Sequence, residues 1–289
     1  MSTQTIHRAY NEVVASHYDL DPQGLIGASL DRAVGQLRTQ NFFGESADER
    51  CVLDLGMGTG LFLGKLKGIA GDKVVPFGLD LAENMVGNAR KRLPDLSAIV
   101  GDAADLDHHF PGQQFDCICT HFMTGYVSMH VLAPQIARRL KPGGYWSLVG
   151  GTKAAYPALQ AMGDSPILRW LSGAGGRAME QTVLNPANLQ EVVETMSAHG
   201  LKPCSGETFE PRLEFRDFDH FMQFAYQGGW LTPLIESLGL HKAGVIKRFL
   251  LNRLAFPVID HHNIVVALGR KGDRECARSA GLIVANLRA

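Results

Sequence analysis

Between Cys51 and Gly151 the hydrophobic pattern switches repeatedly between two periods. Short apolar runs, CVLDLG, KVVPFGLD, LSAIVGD, QFDCICTH and GGYWSLVGG, alternate with stretches of helical apolar spacing, LFLGKLKGIA, AENMVGNARKRL and VLAPQIARRL. The runs have the length and β-branched character of buried strands. Strand then helix, joined by short turns, predicts an α/β fold: a parallel sheet with helices on both faces. Residues 5–40 carry helical spacing only, with Leu25, Ile26, Leu30, Val34 and Leu37 forming a second helix after the DPQG turn. Behind the α/β region come a glycine-rich irregular piece (151–181), a helix that opens at Asn185 with Pro186 as its first residue and stops at Gly200, and a strand at Leu201–Phe209. An aromatic-rich helical segment from Phe215 to Phe256, a strand in NIVVALGRKG and a helix-compatible tail follow.

Composition narrows the class. The 289 residues, 45% hydrophobic and 20% charged, have the profile of a soluble globular protein, and no run approaches the roughly 20 apolar residues of a membrane span. The opening MSTQTIHRAYNEVV lacks the basic-then-apolar order of a secretory signal, which predicts a cytoplasmic location. A balance of 28 basic against 29 acidic residues argues against a nucleic-acid partner held by phosphate neutralisation. The five cysteines, Cys51, Cys117, Cys119, Cys204 and Cys276, are scattered without a C-x-x-C pair, so neither a disulfide framework nor a metal site is expected. From His241 onward Lys and Arg outnumber acids. This reads as a solvated face, with an anion site for the substrate at Arg248 and Arg253 as the sharper alternative.

Candidate chemistry begins at VLDLGMGTG. Gly56, Gly58 and Gly60 follow a strand and open a helix, where a doubly wound sheet binds the polar part of a nucleotide-like ligand. The spacing is G-x-G-x-G, and Leu61 stands where the dinucleotide fingerprint has its third glycine, which argues against NAD. Asp80 ends the second strand, where a carboxylate can accept from vicinal ribose hydroxyls. Asp102 ends the third, one strand farther out, at the distance of an adenine.

With these residues the sequence resembles the class I S-adenosylmethionine-dependent methyltransferase family. VLDLGMGTG, GLDLAENMV, GDAADL, FDCICTHFM and LKPGGYWSLVG resemble its five motifs in order, and HNIVVALGRKG its final strand. The resemblance implies a Rossmann-like, seven-stranded, mostly parallel sheet and S-adenosyl-L-methionine as cofactor. It implies Asp54 for the cofactor's amino group, often through water, and Gly56, Gly58 and Gly60 for the methionine moiety. Asp80 would hold the ribose, and Asp102 with the backbone of Ala103 would read adenine. AYNEVVASHYD resembles the short helix that precedes this domain in many small-molecule methyltransferases, with Tyr10 and Tyr18 covering the cofactor. In the family the sixth strand is parallel and the seventh antiparallel, so their connection emerges on the ligand side, and its length here implies a lid. The expected units are a helical cap (1–45), the cofactor-binding core (46–210), a helical lid (211–260), the last core strand (261–272) and a tail (273–289).

Methyl transfer from a sulfonium needs alignment of the acceptor and exclusion of water, with a base where the acceptor is a hydroxyl or amine. His121, at the end of the fourth strand, is a candidate base, and His261 and His262, expected to begin the last strand, compete with it. Tyr126, Tyr226 and Trp230 are candidates for the acceptor pocket, with Thr124 and His130 weaker ones. The N/D-P-P-Y signature of amino-directed methyltransferases is absent, which argues against methylation of nucleic-acid amino groups. The expectation is a methyltransferase acting on a small-molecule acceptor in secondary or specialised metabolism. The same cofactor site would also serve a cyclase that forms azetidine-2-carboxylate and releases methylthioadenosine; a noncatalytic cofactor-binding protein is a third reading. No nucleic-acid or membrane partner is expected, and a homodimer is left open.

Overall fold

Residues 3–44, 48–163 and 184–273 are described by the structure, a computed structural model. The central sheet holds β1 (Arg50–Leu55), β2 (Val74–Asp80), β3 (Ser97–Val100), β4 (Phe115–His121), β5 (Leu140–Gly151), β6 (Leu201–Phe209) and β9 (Ile264–Lys271). Their order across the sheet is β3-β2-β1-β4-β5-β9-β6. Strands β1 to β5 pair in parallel, and β9 runs antiparallel between β5 and β6. This is the seven-stranded, mostly parallel, Rossmann-like arrangement that the motif order implies.

The two-residue period of each strand distributes its side chains to two layers. Val52, Cys117, Cys119 and Val266 pack against α2 (Leu25–Thr39), α3 (Leu61–Ala70) and α4 (Glu83–Arg92) through Leu37, Leu66 and Val86. Their neighbours Leu53, Leu55, Ile118 and Val265 face the other layer, where α5 (Met129–Arg139) supplies Leu132 and Ile136. After β5 come α6 (Pro157–Gly163) and α7 (Leu189–Ala198); Val192 and Met196 of α7 complete that second layer. Ahead of the sheet, α1 (Thr3–Glu12) docks on α4: Asn84 donates its backbone N–H to Asn11 Oδ1 at 2.8 Å and its side-chain amide to the Asn11 carbonyl at 2.9 Å, and Asn88 donates to the Ala15 carbonyl at 2.9 Å.

The segment between β6 and β9 differs in one respect from the wholly helical expectation. It stands on an antiparallel ribbon of β7 (Arg212–Phe215) and β8 (Val258–His261), with Leu213 opposite Asp260. RLEF and VIDH alternate buried and exposed residues, a strand period that the aromatic spacing around them masks in the sequence. Between the two strands lie α8 (Phe218–Met222), a π-turn at Gln223–Gln227, α9 (Thr232–Ser237) and α10 (Val245–Ala255). Phe215, Phe218, Phe221 and Phe224 are buried in the same core as the α2 layer.

Three boundaries move. The last strand begins at Ile264 rather than 261, because Val258–His261 is spent on the ribbon. The helix expected from Asn185 begins at Leu189: Asn188 accepts the Glu191 N–H at 3.0 Å while Glu191 reaches back to the Ala187 N–H at 2.7 Å, a reciprocal cap. The glycine-rich piece starts with α6, and its remainder, like most of the tail, lies outside the described residues. Among the described residues no helix is long and apolar enough to cross a membrane, and no group of three or more His, Cys, Asp or Glu could hold a metal ion.

Candidate active site

The carboxyl ends of β1 to β5 and the loop entering β9 share one edge of the sheet, where an open α/β sheet forms its ligand crevice. A cavity of about 620 Å³ lies there. Asp102 reaches it after β3, Asp80 from the end of β2 and Gly58 after β1, followed by Phe122 after β4, Tyr156 after β5 and His262 before β9. Tyr10, Tyr18, Gly229 and Trp230 close it from the cap and from the segment between β7 and β8.

On the β1–β3 side, Gly56, Gly58 and Gly60 hold φ of 67, 55 and 76°, a left-handed conformation open mainly to glycine. The Gly58 N–H donates to Asp80 Oδ2 at 2.8 Å and the Ala82 N–H to Oδ1 at 2.9 Å, so the acid after β2 fixes the loop after β1. Each oxygen retains a lone pair for a ligand hydroxyl. The Tyr18 ring covers Gly58, where an added Cβ would lie 3.4 Å from it. Its neighbour Asp19 accepts from Thr59 Oγ1 and from Arg92 at 2.6 Å, tying the cap to the loop. Asp102 accepts the Ala104 N–H at 2.9 Å and lines the cavity together with Ala103.

Two of the expected cofactor residues stand behind the wall. Gly60 caps α3, and a Cβ there would lie 3.2 Å from that of Ala89, so this glycine sets the approach of α3 to α4. Asp54 is buried, and one of its oxygens has no hydrogen-bond partner. Burial, with the Asp80 charge adding to it, pushes its pKa from 3.8 to about 8. A ligand ammonium group reaching it, directly or through water, would supply the missing partner and restore the ionised form.

The roof is held by two phenols and a carbonyl. Tyr10 Oη lies 2.7 Å from Tyr126 Oη, and the two hydroxyls lie 3.1 and 3.0 Å from the Gly229 carbonyl, to which each can donate. The contact joins α1, the loop after β4 and the segment between β7 and β8 over the cavity. Arg8 adds an ion pair to Glu236 of α9 at 3.0 Å.

On the β4–β5–β9 side, His121 Nε2 lies 3.0 Å from Ser147 Oγ, and Nδ1 has no partner. His262 packs between Tyr156, 4.4 Å between ring centres, and Trp230, 5.1 Å. Burial pushes both imidazoles from 6.5 down to about 3. They are therefore neutral at physiological pH, and too weakly basic to match the poise of a general base near pH 7.

Phe122 and Tyr156 were not singled out by the sequence, although both line the cavity. Their φ values of 56 and 59° are rare for bulky residues, and such strain gathers at functional sites.

Other candidates are not brought to the cavity. His261 lies on the exposed face of β8 and contributes its carbonyl to the Tyr156 N–H at 2.9 Å; the strand alternation turns Asp260 inward instead. Tyr226 stacks on His241 at 5.5 Å and bonds Glu236 at 3.3 Å. His130 is exposed and pairs with Glu191 at 3.1 Å, while Thr124 is buried with its hydroxyl unpartnered. Arg248 pairs with Asp219, and neither it nor Arg253 lines the cavity, so the anion-site alternative has no support from geometry.

The glycine loop, the acids at the ends of β2 and β3 and the strand order stand where the resemblance stated from the sequence places them. Residues 52–144 match the family described as a methyltransferase domain, and the sheet around them has the seven-stranded, mostly parallel order that the motif resemblance implies. The chain is 33% identical over 132 residues to the demethylmenaquinone methyltransferase of Beutenbergia cavernae, a match covering 45% of this chain and 52% of that protein, so it spans about half the length of this relative. Among solved structures it is similar to the YcgJ protein of Bacillus subtilis, with a TM-score of 0.52 and 20% identity over 83% of this chain and 99% of that one. The BH2331 protein of Bacillus halodurans gives 0.54 and 13% over 83% and 98%. These two likenesses concern the fold.

Proposed function

We propose that the protein transfers the methyl group of S-adenosylmethionine to a small-molecule acceptor held beside the ends of β4, β5 and β9. The observation that carries this reading is the continuity of one cavity from Asp102 to His262. The bound cofactor would supply a methyl group on a sulfonium leaving group. Asp80 would accept the ribose hydroxyls, Asp102 with Ala103 would meet the adenine, and Asp54, ionised by its new partner, would hold the amino end. Tyr10, Tyr18 and Tyr126 would exclude water and fix the acceptor's approach, which is most of what such a displacement requires. The segment between β7 and β8 acts as a lid through Gly229 and Trp230.

The cavity extends across three strand ends beyond those that carry the cofactor residues, space that an intramolecular cyclisation does not need. The name of the Beutenbergia relative, a methyltransferase of demethylmenaquinone, supports a small-molecule acceptor. The near-neutral charge and the roof that Tyr10, Tyr126 and Gly229 form over the cavity support such an acceptor over nucleic acid, handled in the cytoplasm. The protein is incubated with S-adenosylmethionine alone and with a small-molecule extract, and the nucleoside product is identified. S-adenosylhomocysteine formed only with extract is the expected result; methylthioadenosine formed without it would overturn methyl transfer in favour of the cyclase.

A further inference from the structure

We propose that the β4–β5–β9 half of the cavity binds an uncharged, flat aromatic acceptor bearing a hydroxyl group, gripped at that hydroxyl by Tyr156 and His262. The inference rests on the methyltransferase reading and extends it to the class of acceptor.

The walls select the shape. Trp230 lies edge-on to Phe122 at 4.8 Å and to His262 at 5.1 Å, and it is braced from behind by Phe224, stacked at 5.5 Å and 10°. Tyr156 lies 4.4 Å from His262 and Tyr126 closes the roof. Rings arranged in this way offer faces and edges to another ring. Neighbouring strands are about 4.8 Å apart, so β5 stands roughly 14 Å from β2, clear of the acids assigned to the adenosyl group.

The charges select neutrality. Lys153 is the single formally charged side chain among the described liners of this half, and it is exposed. Asp260, buried close by, spends its carboxylate on the N–H groups of Ala158, Leu159 and His261 at 3.0, 2.9 and 2.8 Å. An ionised acceptor would be buried without a counter-charge.

The unpartnered atoms select the hydroxyl. Tyr156 Oη and His262 Nδ1 are buried without a hydrogen-bond partner, a cost of the kind a ligand removes. A hydroxyl both accepts and donates, so one group satisfies the phenol as donor and the bare imidazole nitrogen as acceptor. Burial raises the Tyr156 pKa well above 10.0 and keeps His262 neutral, so both groups hold the protonation states this pairing uses.

The test is calorimetric binding to protein saturated with S-adenosylhomocysteine, using 2-naphthol, 2-naphthoate and 2-naphthylmethylammonium as probes. 2-Naphthol should bind at least about 10-fold more tightly than either charged probe, the factor equivalent to 1.4 kcal/mol. Tyr156→Phe should weaken 2-naphthol about 2- to 10-fold, the range for one neutral hydrogen bond, and leave S-adenosylhomocysteine unchanged. Phe122→Gly, which relieves the left-handed backbone while removing a wall, should fold and lose 2-naphthol; it keeps the test decisive if Tyr156→Phe misfolds. Preference for a charged probe, or 2-naphthol binding indifferent to both substitutions, would overturn the assignment. Failure to bind S-adenosylhomocysteine would sink the methyltransferase reading itself, whereas S-adenosylhomocysteine bound without 2-naphthol would sink the acceptor class alone.

Discussion

Asp54 is held in the protonation state opposite to the one its expected partner needs. An aspartate that titrates at 3.8 when free titrates at about 8 in the fold. The folded chain therefore binds this proton more tightly, and between pH 4 and 8 the unfolded chain holds fewer protons, so this group makes stability fall as pH rises. Asp54→Asn should show a Tm above wild type by a margin that widens from about pH 4 to about pH 8 and is constant beyond; a margin independent of pH in calorimetric scans would contradict it. At pH 7 the carboxyl must ionise to meet an ammonium group, so binding of S-adenosylhomocysteine should release protons, seen as a dependence of binding heat on the buffer's ionisation enthalpy. Asp80→Ala should weaken the same ligand by about 1.5–3 kcal/mol, the range for hydrogen bonds to a charged group. Unchanged affinity would mean that the ribose lies elsewhere.

Three elements meet at one carbonyl, that of Gly229, and this makes the roof sensitive to single atoms. Gly229 has φ of 86°, and a Cβ there would lie 3.0 Å from Val14 Cγ1 and 3.1 Å from Tyr10 Oη. Gly229→Ala should thus be strained in its backbone and push the cap away at the same time. Faster dissociation of S-adenosylhomocysteine in stopped-flow, with hydrogen exchange increased in α1 and α9, is the expected result. Tyr126→Phe removes a hydroxyl and leaves the ring, so it should show the same pattern more weakly, at about 0.5–1.5 kcal/mol. If both variants release ligand at the wild-type rate, α1 is not a cover.

For the molecule as a whole, buried titrating groups set opposing slopes on stability. His121 and His262 titrate at about 3 in the fold and at 6.5 when free, so each makes stability rise with pH between those values. Asp54 opposes them from about pH 4 to 8, and Asp80, whose carboxyl burial also raises, adds to that fall above pH 4. Together these groups place the Tm maximum of ligand-free protein at about pH 6.5 or below, and a maximum at pH 8 or above would contradict their burial in these states. The aromatics of the segment from β7 to β8 share one core with the α2 layer, so that segment and the sheet should unfold in a single calorimetric transition. Separate transitions would mean that the segment has a core of its own.

Much of the α/β core was legible in the sequence because its signals are local. Strand and helix periods mark β1 to β5 and the helices between them, and the glycines with Asp80 and Asp102 sit at strand ends, so placing the elements places the residues. The ribbon of β7 and β8 was hidden because two four-residue strands, about forty residues apart in the chain, pair only through tertiary contact. The β4–β5–β9 half of the cavity was hidden for the same reason: Phe122, Tyr156, Trp230 and His262 come from four distant segments and share no motif. His261 and His262 were equivalent as letters, and one strand alternation sent the first to solvent and the second to the cavity. The sequence by itself determined the sheet, the glycine loop and the acids at its edge, since periodicity and turn chemistry act over a few residues. Which aromatic rings line the β4–β5–β9 half of the cavity, and which polar atoms are left without partners, was decided by tertiary contact, because both depend on what distant segments bring together.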